Sequence, residues 1–444
     1  MASARAAAVE VLLAVERSQS VLATQIERAR RGLRDERERA LLIEIVMGTL
    51  RWRAELDALL ARCLTRPIAE IDPATRAILR VAAYQLEHLD RVPAHAVVHD
   101  AVDLTRHLGS SRAGGFVNAV LRTWQRRRPH LRLPPRPGRL DDRRAWIAYL
   151  ATTLSHPAWL VTRWLDRHGA EATERWCQFN NRPPAIAMRI PKDDAPAISS
   201  SSLLPLRFVA DGCEWSRETG AMPADLRARC VIQDEASQIV AHLVGATPGD
   251  TVLDVCAAPG GKSLILASDM HGRGLLVSCD TRPRRMRLLA AMLRQGGVVK
   301  RLVQLDATRS LPFGPVFDRV LVDAPCSGLG VIARDPDLKW SRTETDLPRL
   351  VEQEGRMLRA AAGAVRPGGR LIYATCSSEP DENEDVVDAF LRDTPAFSRH
   401  RPGPAPQVRR LDELLTGTGD LRTWPFAHDL DAFFAAFLVK REAP

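Results

Sequence analysis

The sequence lacks any apolar run near the roughly 20 residues that a helix needs to cross a bilayer, which excludes a helical membrane protein. It also lacks a signal-peptide pattern, because Arg5 stands inside an alanine-rich helical stretch at the amino terminus. A cytoplasmic protein with reduced thiols is therefore expected. Its cysteines, at positions 63, 177, 213, 230, 256, 279, 326 and 376, form no C-x-x-C pair and accompany no paired histidines, so neither a disulfide framework nor a metal site is indicated. A G-x-G-x-x-G fingerprint is missing too, which removes the usual dinucleotide-binding dehydrogenase.

What is present is an ordinary globular composition, 45% hydrophobic over 444 residues, enough for two or three domains with their own cores. The net charge of +9 is unevenly placed. Residues 1–144 hold 26 Lys and Arg against 17 Asp and Glu, and the remaining basic and acidic residues cancel, so the whole surplus lies in the first third. A basic module joined to a neutral one predicts that the first docks on a polyanion while the second does something else.

Apolar positions recur at helical spacing through Ala8–Leu22, Leu41–Leu60, Thr75–Leu89, Ala94–Leu108 and Phe116–Trp124, punctuated by Asp72-Pro73, Val92-Pro93 and Gly109. Residues 1–130 thus read as a helical bundle. The stretches Val92-Pro93-Ala94-His95-Ala96-Val97-Val98 and Gly115-Phe116-Val117-Asn118-Ala119-Val120-Leu121-Arg122 resemble the NusB-like RNA-binding domain. Residues 131–150, with Pro134, Pro135, Pro137 and several arginines, predict an extended basic linker. Residues 151–232 predict a small α+β subdomain: helical spacing from Ser155 to about Phe179, a loop at Asn180-Asn181-Arg182-Pro183-Pro184, then short alternating runs at Ala185–Ile190 and Leu206–Val209. His156 and Trp159 read as capping and core residues.

Residues 233–444 carry the chemistry. A buried-strand pattern, Thr251–Cys256, runs into Ala257-Ala258-Pro259-Gly260-Gly261-Lys262-Ser263, where small residues let the backbone approach a ligand at a helix start. Gly-Lys-Ser also ends a Walker motif, but that pattern needs glycine at position 256, which is cysteine. A second strand leads to Asp280, a third to Asp306, and Phe317–Val322 forms a fourth ending at Asp323. Polar residues in phase at strand ends predict a Rossmann-like doubly wound sheet, with Asp280 accepting hydrogen bonds from ribose hydroxyls. With no hydride chemistry in view, S-adenosylmethionine is the fitting cofactor.

After Asp323-Ala324-Pro325 stands Cys326, where an amino-methyltransferase would carry an aromatic side chain to stack on the base; Cys376 follows another buried-strand run. Two thiols and a carboxylate at neighbouring strand ends suit methylation of C5 of a cytosine. That carbon is a poor nucleophile until a thiolate adds at C6, and a second group must then help remove the C5 proton and expel the enzyme. Cys256 and Cys279 read as small core residues, with Cys256 meeting the cofactor through its backbone. Asn383 reads as a residue that orients the loop after Cys376.

Together, Asp254-Val255-Cys256-Ala257-Ala258-Pro259-Gly260-Gly261-Lys262, Asp323-Ala324-Pro325-Cys326-Ser327-Gly328, Arg334-Asp335-Pro336-Asp337-Leu338-Lys339-Trp340 and Ala374-Thr375-Cys376-Ser377 resemble the RsmB/Sun (Fmu) family of bacterial 16S ribosomal RNA cytosine-C5 methyltransferases. The resemblance spans nearly the whole chain, the NusB-like domain included. It implies that Cys376 attacks C6, that Cys326 assists breakdown of the adduct, and that Asp323 lies near both the cofactor and the cytosine N3 edge. It further implies that Cys256, Ala257, Ala258, Pro259, Gly260, Gly261 and Lys262, with Asp280 and Asp306, hold S-adenosylmethionine. Ribosomal RNA is the expected partner and a monomer the expected state. Ala432 stands where the family usually has glycine. A methyltransferase of transfer RNA or another RNA, or a non-catalytic RNA-binding assembly factor, are the alternatives. Should the basic first third not hold RNA, Arg334, Lys339 and the loops around the cysteines are next in line.

Overall fold

The computed structural model describes residues 3–17, 21–109, 111–190, 202–216, 222–294 and 299–442. The chain forms two compact units, one of residues 1–183 with 332–344 and one of residues 184–331 with 345–444.

Unit 1 is helical: α1 (Ala4–Glu16), α2 (Leu22–Arg31), α3 (Glu36–Arg51), α4 (Arg53–Ala61), α5 (Pro73–His88), α6 (Ala94–His107), α7 (Gly114–Arg127), α8 (Arg143–Ala148) and α9 (Ala158–Asn181). The starts follow from local chemistry. Ser3 and Asp35 accept from the free N–H groups of α1 and α3, and Asp72 accepts from Thr75 N at 2.9 Å with Pro73 at the first helical position of α5. The expected helix Ala8–Leu22 ends earlier, at Glu16, and its residues 18–20 lie outside the described ones. The single helix expected over Leu41–Leu60 is broken at Trp52 into α3 and α4. A donor of the new helix start, Ala54 N, bonds Ser155 Oγ at 2.9 Å, so the break is satisfied from a segment 101 residues away that no local pattern could reveal.

The expected linker carries no helix from Leu131 to Asp142 and then enters α8. Its arginines are engaged: Arg136 pairs with Glu174 and lies over the Trp146 ring, Arg139 pairs with Asp141, and Arg143 with Asp166. Asn180 and Asn181, expected in a loop, form the buried last turn of α9. Asn180 meets His156 Nε2 at 3.1 Å, and that ring is buried core as expected. Gly169, with φ 76°, bends α9 at a place where the helical spacing gives no warning.

Residues 332–344 complete unit 1. Their short helix Leu338–Ser341 buries Lys339, which donates to Arg51 O at 3.1 Å, Ser155 O at 3.0 Å and Asn181 Oδ1 at 2.9 Å. Trp340 Nε1 donates to Leu50 O at 2.6 Å. Lys339 is 1% exposed and therefore is not a phosphate ligand, correcting its place among the RNA-facing candidates. An ammonium closing three backbone and side-chain acceptors serves packing.

Unit 2 opens with a four-stranded antiparallel sheet, order β2-β3-β1-β4, from β1 (Ile186–Arg189), β2 (Leu203–Pro205), β3 (Gly212–Trp215) and β4 (Val231–Ile232). The helix and the sheet of the expected 151–232 subdomain thus fall in different compact units. The run Leu206–Val209 is not a strand, because Glu235 Oε1 takes the N–H groups of Phe208 and Val209 at 2.5 and 3.1 Å, in place of a ladder partner.

The large sheet holds β5 (Thr251–Asp254), β6 (Leu275–Asp280), β7 (Val299–Gln304), β8 (Phe317–Asp323), β9 (Val365–Thr375), β10 (Phe397–Arg399), β11 (Leu421–Arg422) and β12 (Phe434–Lys440). Its order is β10-β12-β9-β8-β5-β6-β7, with β11 beside β12. The pairs β5–β6, β6–β7, β5–β8 and β8–β9 are parallel, and β12 runs antiparallel to β9. Strand order reverses between β5 and β8. In a doubly wound sheet ligands bind beyond the carboxyl ends of the strands at such a switch point.

Candidate active site

The switch point gathers most of the expected residues. β5 ends at Asp254, β6 at Asp280, β8 at Asp323, and β9 delivers Thr375 directly before Cys376. Asp323 lies opposite Ala374 in the β8–β9 register, and Ala324 N bonds Ala374 O at 2.8 Å, so the two strand ends advance together. The result is a sulfur–sulfur distance of 3.4 Å between Cys326 and Cys376, fifty residues apart in sequence. Both thiols are free.

The positive charge of the site is Lys262. Its Nζ lies 2.8 Å from Asp323 Oδ2 and 5.6 Å from the centre of the Phe433 ring. Burial opposes its charge, yet Asp323, and with it Cys376 and Asp254, raise the ammonium above the ordinary lysine value. Cys326 is pushed well up by its contact with the Cys376 sulfur and then by burial, which favours its thiol form.

The loop expected to hold the cofactor follows β5. Gly260 has φ 116° and precedes the helix Gly261–Asp269; that left-handed conformation calls for glycine, and a Cβ there would also press on Leu289 and Met292 at 3.1 Å. Asp254 is fully buried and its Oδ2 accepts from Ser263 Oγ at 2.6 Å, while its Oδ1 has no partner. Burial, together with Asp323 and Asp280, pushes Asp254 up to about 7. An orphaned carboxylate oxygen beneath a helix amino terminus and a left-handed glycine fits a cofactor with donors of its own. Asp280 is 4% exposed; it accepts from Thr281 N at 2.8 Å and Ala258 N at 3.3 Å and stands 3.2 Å from Arg285 Nε. Asp306 lies just past β7, bonded to Thr308 N and Oγ1 at 3.0 and 2.7 Å and half-exposed.

The profile of the 16S rRNA methyltransferase RsmB/F family matches residues 241–439, and that of the NusB family matches residues 2–126. The chain is 32% identical over 460 residues to the probable ribosomal RNA small subunit methyltransferase B of Bacillus subtilis, with 99% of each chain covered. The chain belongs to the RsmB/F family. It is also 35% identical over 373 residues to the ribosomal RNA small subunit methyltransferase B of Pseudomonas putida, covering 81% of this chain and 83% of the other. Among solved structures, the crystal structure of PH0851 superposes with a TM-score of 0.80 at 23% identity over 99% of both chains, which shows a shared fold. As a member of the RsmB/F family the protein is a methyltransferase of the S-adenosylmethionine-dependent type.

Within this RsmB/F site the structure adds residues that sequence reasoning passed over. Glu382 Oε1 accepts from Ser327 N at 2.7 Å, and its Oε2 accepts from Ser327 Oγ at 2.6 Å and from Ser377 Oγ. One carboxylate thereby holds the residue after each cysteine. Asn383 does orient the loop after Cys376: its Nδ2 donates to Ser377 O at 3.0 Å and its Oδ1 accepts from Thr375 Oγ1. The only signal was the acidic run Asp381-Glu382-Asn383-Glu384, whose direction in space no periodicity reveals. Gly330 is a second required glycine, since a Cβ would sit 2.0 Å from Ala432 O and 2.7 Å from Cys376 O. Ala432 is itself buried, with its N bonded to Gly330 O at 2.9 Å, so the alanine side chain is accommodated without loss of that backbone contact. Among the described residues no group of His, Cys, Asp and Glu has metal-binding geometry, and no helix is long and apolar enough to cross a membrane.

Proposed function

We propose that the protein methylates C5 of a cytosine in 16S ribosomal RNA through a transient bond between Cys376 and C6 of the base. The observation that carries this reading is the pair of sulfur atoms 3.4 Å apart at the switch point, at the strand ends where Lys262 holds Asp323. Cys376 adds to C6, which places electron density on C5. S-adenosylmethionine supplies an electrophilic methyl group. The loop Cys256 to Lys262 holds this cofactor, with Asp280 at the ribose and Asp306 toward the adenine.

Cys326 assists the second half, in which a base takes the C5 proton and the electron pair left behind re-forms the C5–C6 double bond as the Cys376 sulfur departs as thiolate. Asp323, fixed by Lys262, faces the N3 edge of the base and aligns it between the strand ends. The target must leave its stack to reach this position, which favours a loop of structured RNA. The basic surplus of residues 1–144 and the NusB-family match support RNA docking through unit 1, and a ribosomal RNA substrate supports a cytoplasmic site of action.

Bisulfite sequencing of ribosomal and transfer RNA from cells with and without the gene tests this directly. One 16S cytosine should lose its protection from conversion in the deletion strain and regain it on complementation. Unchanged 16S protection, with loss in a transfer RNA, would move the substrate; methyl incorporation on a ring nitrogen would sink the two-thiol mechanism.

A further inference from the structure

Glu354, on the helix Leu347–Ala362, is fully buried, and neither of its carboxyl oxygens has a hydrogen-bond donor. It faces Glu382, Tyr373 and Cys326. The Tyr373 hydroxyl is committed elsewhere, donating to Glu382 O at 2.6 Å. Two carboxyl groups in one dry site cannot both ionise, so one keeps a proton. Burial, and then the Glu382 charge, push Glu354 up to about 11, which places the proton there. Glu382 is meanwhile occupied on both oxygens by Ser327 and Ser377, the residues that directly follow Cys326 and Cys376. A proton on Glu354 can go to the Tyr373 hydroxyl oxygen or to the Glu382 carboxylate, and the bond to the ionised acceptor is the stronger of the two.

We propose that protonated Glu354 donates to Glu382 and locks it as a clamp across the two cysteine-bearing strand ends, so that Glu354 is a positioning residue setting the distance between the Cys326 and Cys376 sulfurs. The catalytic meaning of that distance rests on the proposed two-thiol reaction, but the distance itself is readable without RNA. When the full chain is equilibrated in glutathione buffers, one glutathione disulfide is reduced to two glutathione molecules as the two protein thiols are oxidised to a Cys326–Cys376 disulfide. Alkylation and mass spectrometry of the remaining thiols then give the effective concentration of one thiol at the other.

Glu354→Leu, which fills the space without a donor, should lower that effective concentration about tenfold, the scale of a lost hydrogen bond to a charged group. Glu354→Gln, whose amide N–H donates in place of the proton, should stay within about twofold of the native chain. The double variant Ser327→Ala/Ser377→Ala keeps the carboxyl pair but removes both hydroxyl ties to the cysteine loops, leaving the bond from Ser327 N, and should fall in the same direction as Glu354→Leu. An unchanged Glu354→Leu, or a Glu354→Gln as weak as Glu354→Leu, overturns the proposal. If Glu354→Leu does not fold, an unchanged double variant overturns it equally. Should the equilibria follow the expected pattern while RNA mapping finds no 5-methylcytosine, the clamp stands and the cytosine reading falls.

Discussion

Each unit buries a charged side chain that ties together distant segments, and the two do so in opposite ways. In unit 1 Lys339 Nζ donates to three oxygens from three segments and is closed off, with burial holding its pKa well below the ordinary lysine value. In unit 2 Glu382 accepts from both cysteine loops and sits beside a second carboxyl group and a thiol, so protons in its surroundings have somewhere to move. A buried charge remote from chemistry is saturated; one beside the reacting atoms is coupled to other titrating groups. Substitutions in unit 2 should therefore strike reactivity ahead of stability, and those at the Lys339 centre the reverse.

The sharpest contrast lies between the thiols. Cys376→Ala should remove both turnover and covalent capture of RNA, a loss of about a thousandfold or more for a missing nucleophile. Cys326→Ala should still capture RNA and fail to release it. Denaturing electrophoresis with labelled RNA separates the two, and a slow-migrating adduct in Cys376→Ala but not in Cys326→Ala would reverse the roles. Neither variant should shift the unfolding midpoint appreciably, since both side chains are small.

Lys339→Met should do the opposite, costing about 2–4 kcal/mol of stability by leaving three buried acceptors without a donor, with S-adenosylmethionine affinity unchanged. Denaturant unfolding and calorimetry check the pair of claims. Weakened cofactor binding in a folded Lys339→Met would dissolve the contrast between the units. Asp280→Ala should act locally in unit 2, weakening S-adenosylmethionine binding by about 1–3 kcal/mol through the loss of a buried acceptor while RNA affinity holds. Because Asp280 also braces Ala258 N and Thr281 N, a cofactor affinity that does not fall would remove it from the ribose position.

The smallest effect concerns His242, a fully buried ring in unit 2 with Asp269 at 3.0 Å and Asp211 at 3.4 Å. Burial opposes its charge, but the two carboxylates outweigh it and raise its pKa above the ordinary value, while Asp211 is lowered. The raised pKa means that this contribution to stability is fully present below the unfolded value, about 6.5, and is lost as pH rises through the folded one. His242→Asn should flatten that decline in a series of unfolding curves from acid to mildly alkaline pH. An unaltered slope would assign the decline to other groups.

The sequence made the candidate site legible where it is local. The glycine loop, Asp280 and the strand Phe317–Asp323 follow from apolar runs ending in polar residues, and the two cysteines stood out because nothing structural explained their positions. What stayed hidden depends on partners far away in the chain. Ser155 supports the start of α4, Glu235 takes the donors of a would-be strand, and Glu354 reaches Glu382 from an ordinary amphipathic helix. Lys339 was misjudged for the same reason, since a lysine in a polar motif reads as exposed until its three acceptors are known.

The return of residues 332–344 to unit 1 bears on how the chain is made. The acceptors of Lys339 and Trp340 belong to segments that leave the ribosome first, at Leu50, Arg51, Ser155 and Asn181, whereas the donors arrive after β5, β6, β7 and β8 of the large sheet have been synthesised. At elongation rates of about 5–20 residues per second, the helical unit waits on the order of ten seconds with those carbonyls solvated. Its final closure is thus timed by the synthesis of the unit that holds the thiols, and a nascent chain arrested before Ile332 should carry a helical bundle more open to proteolysis than the finished protein.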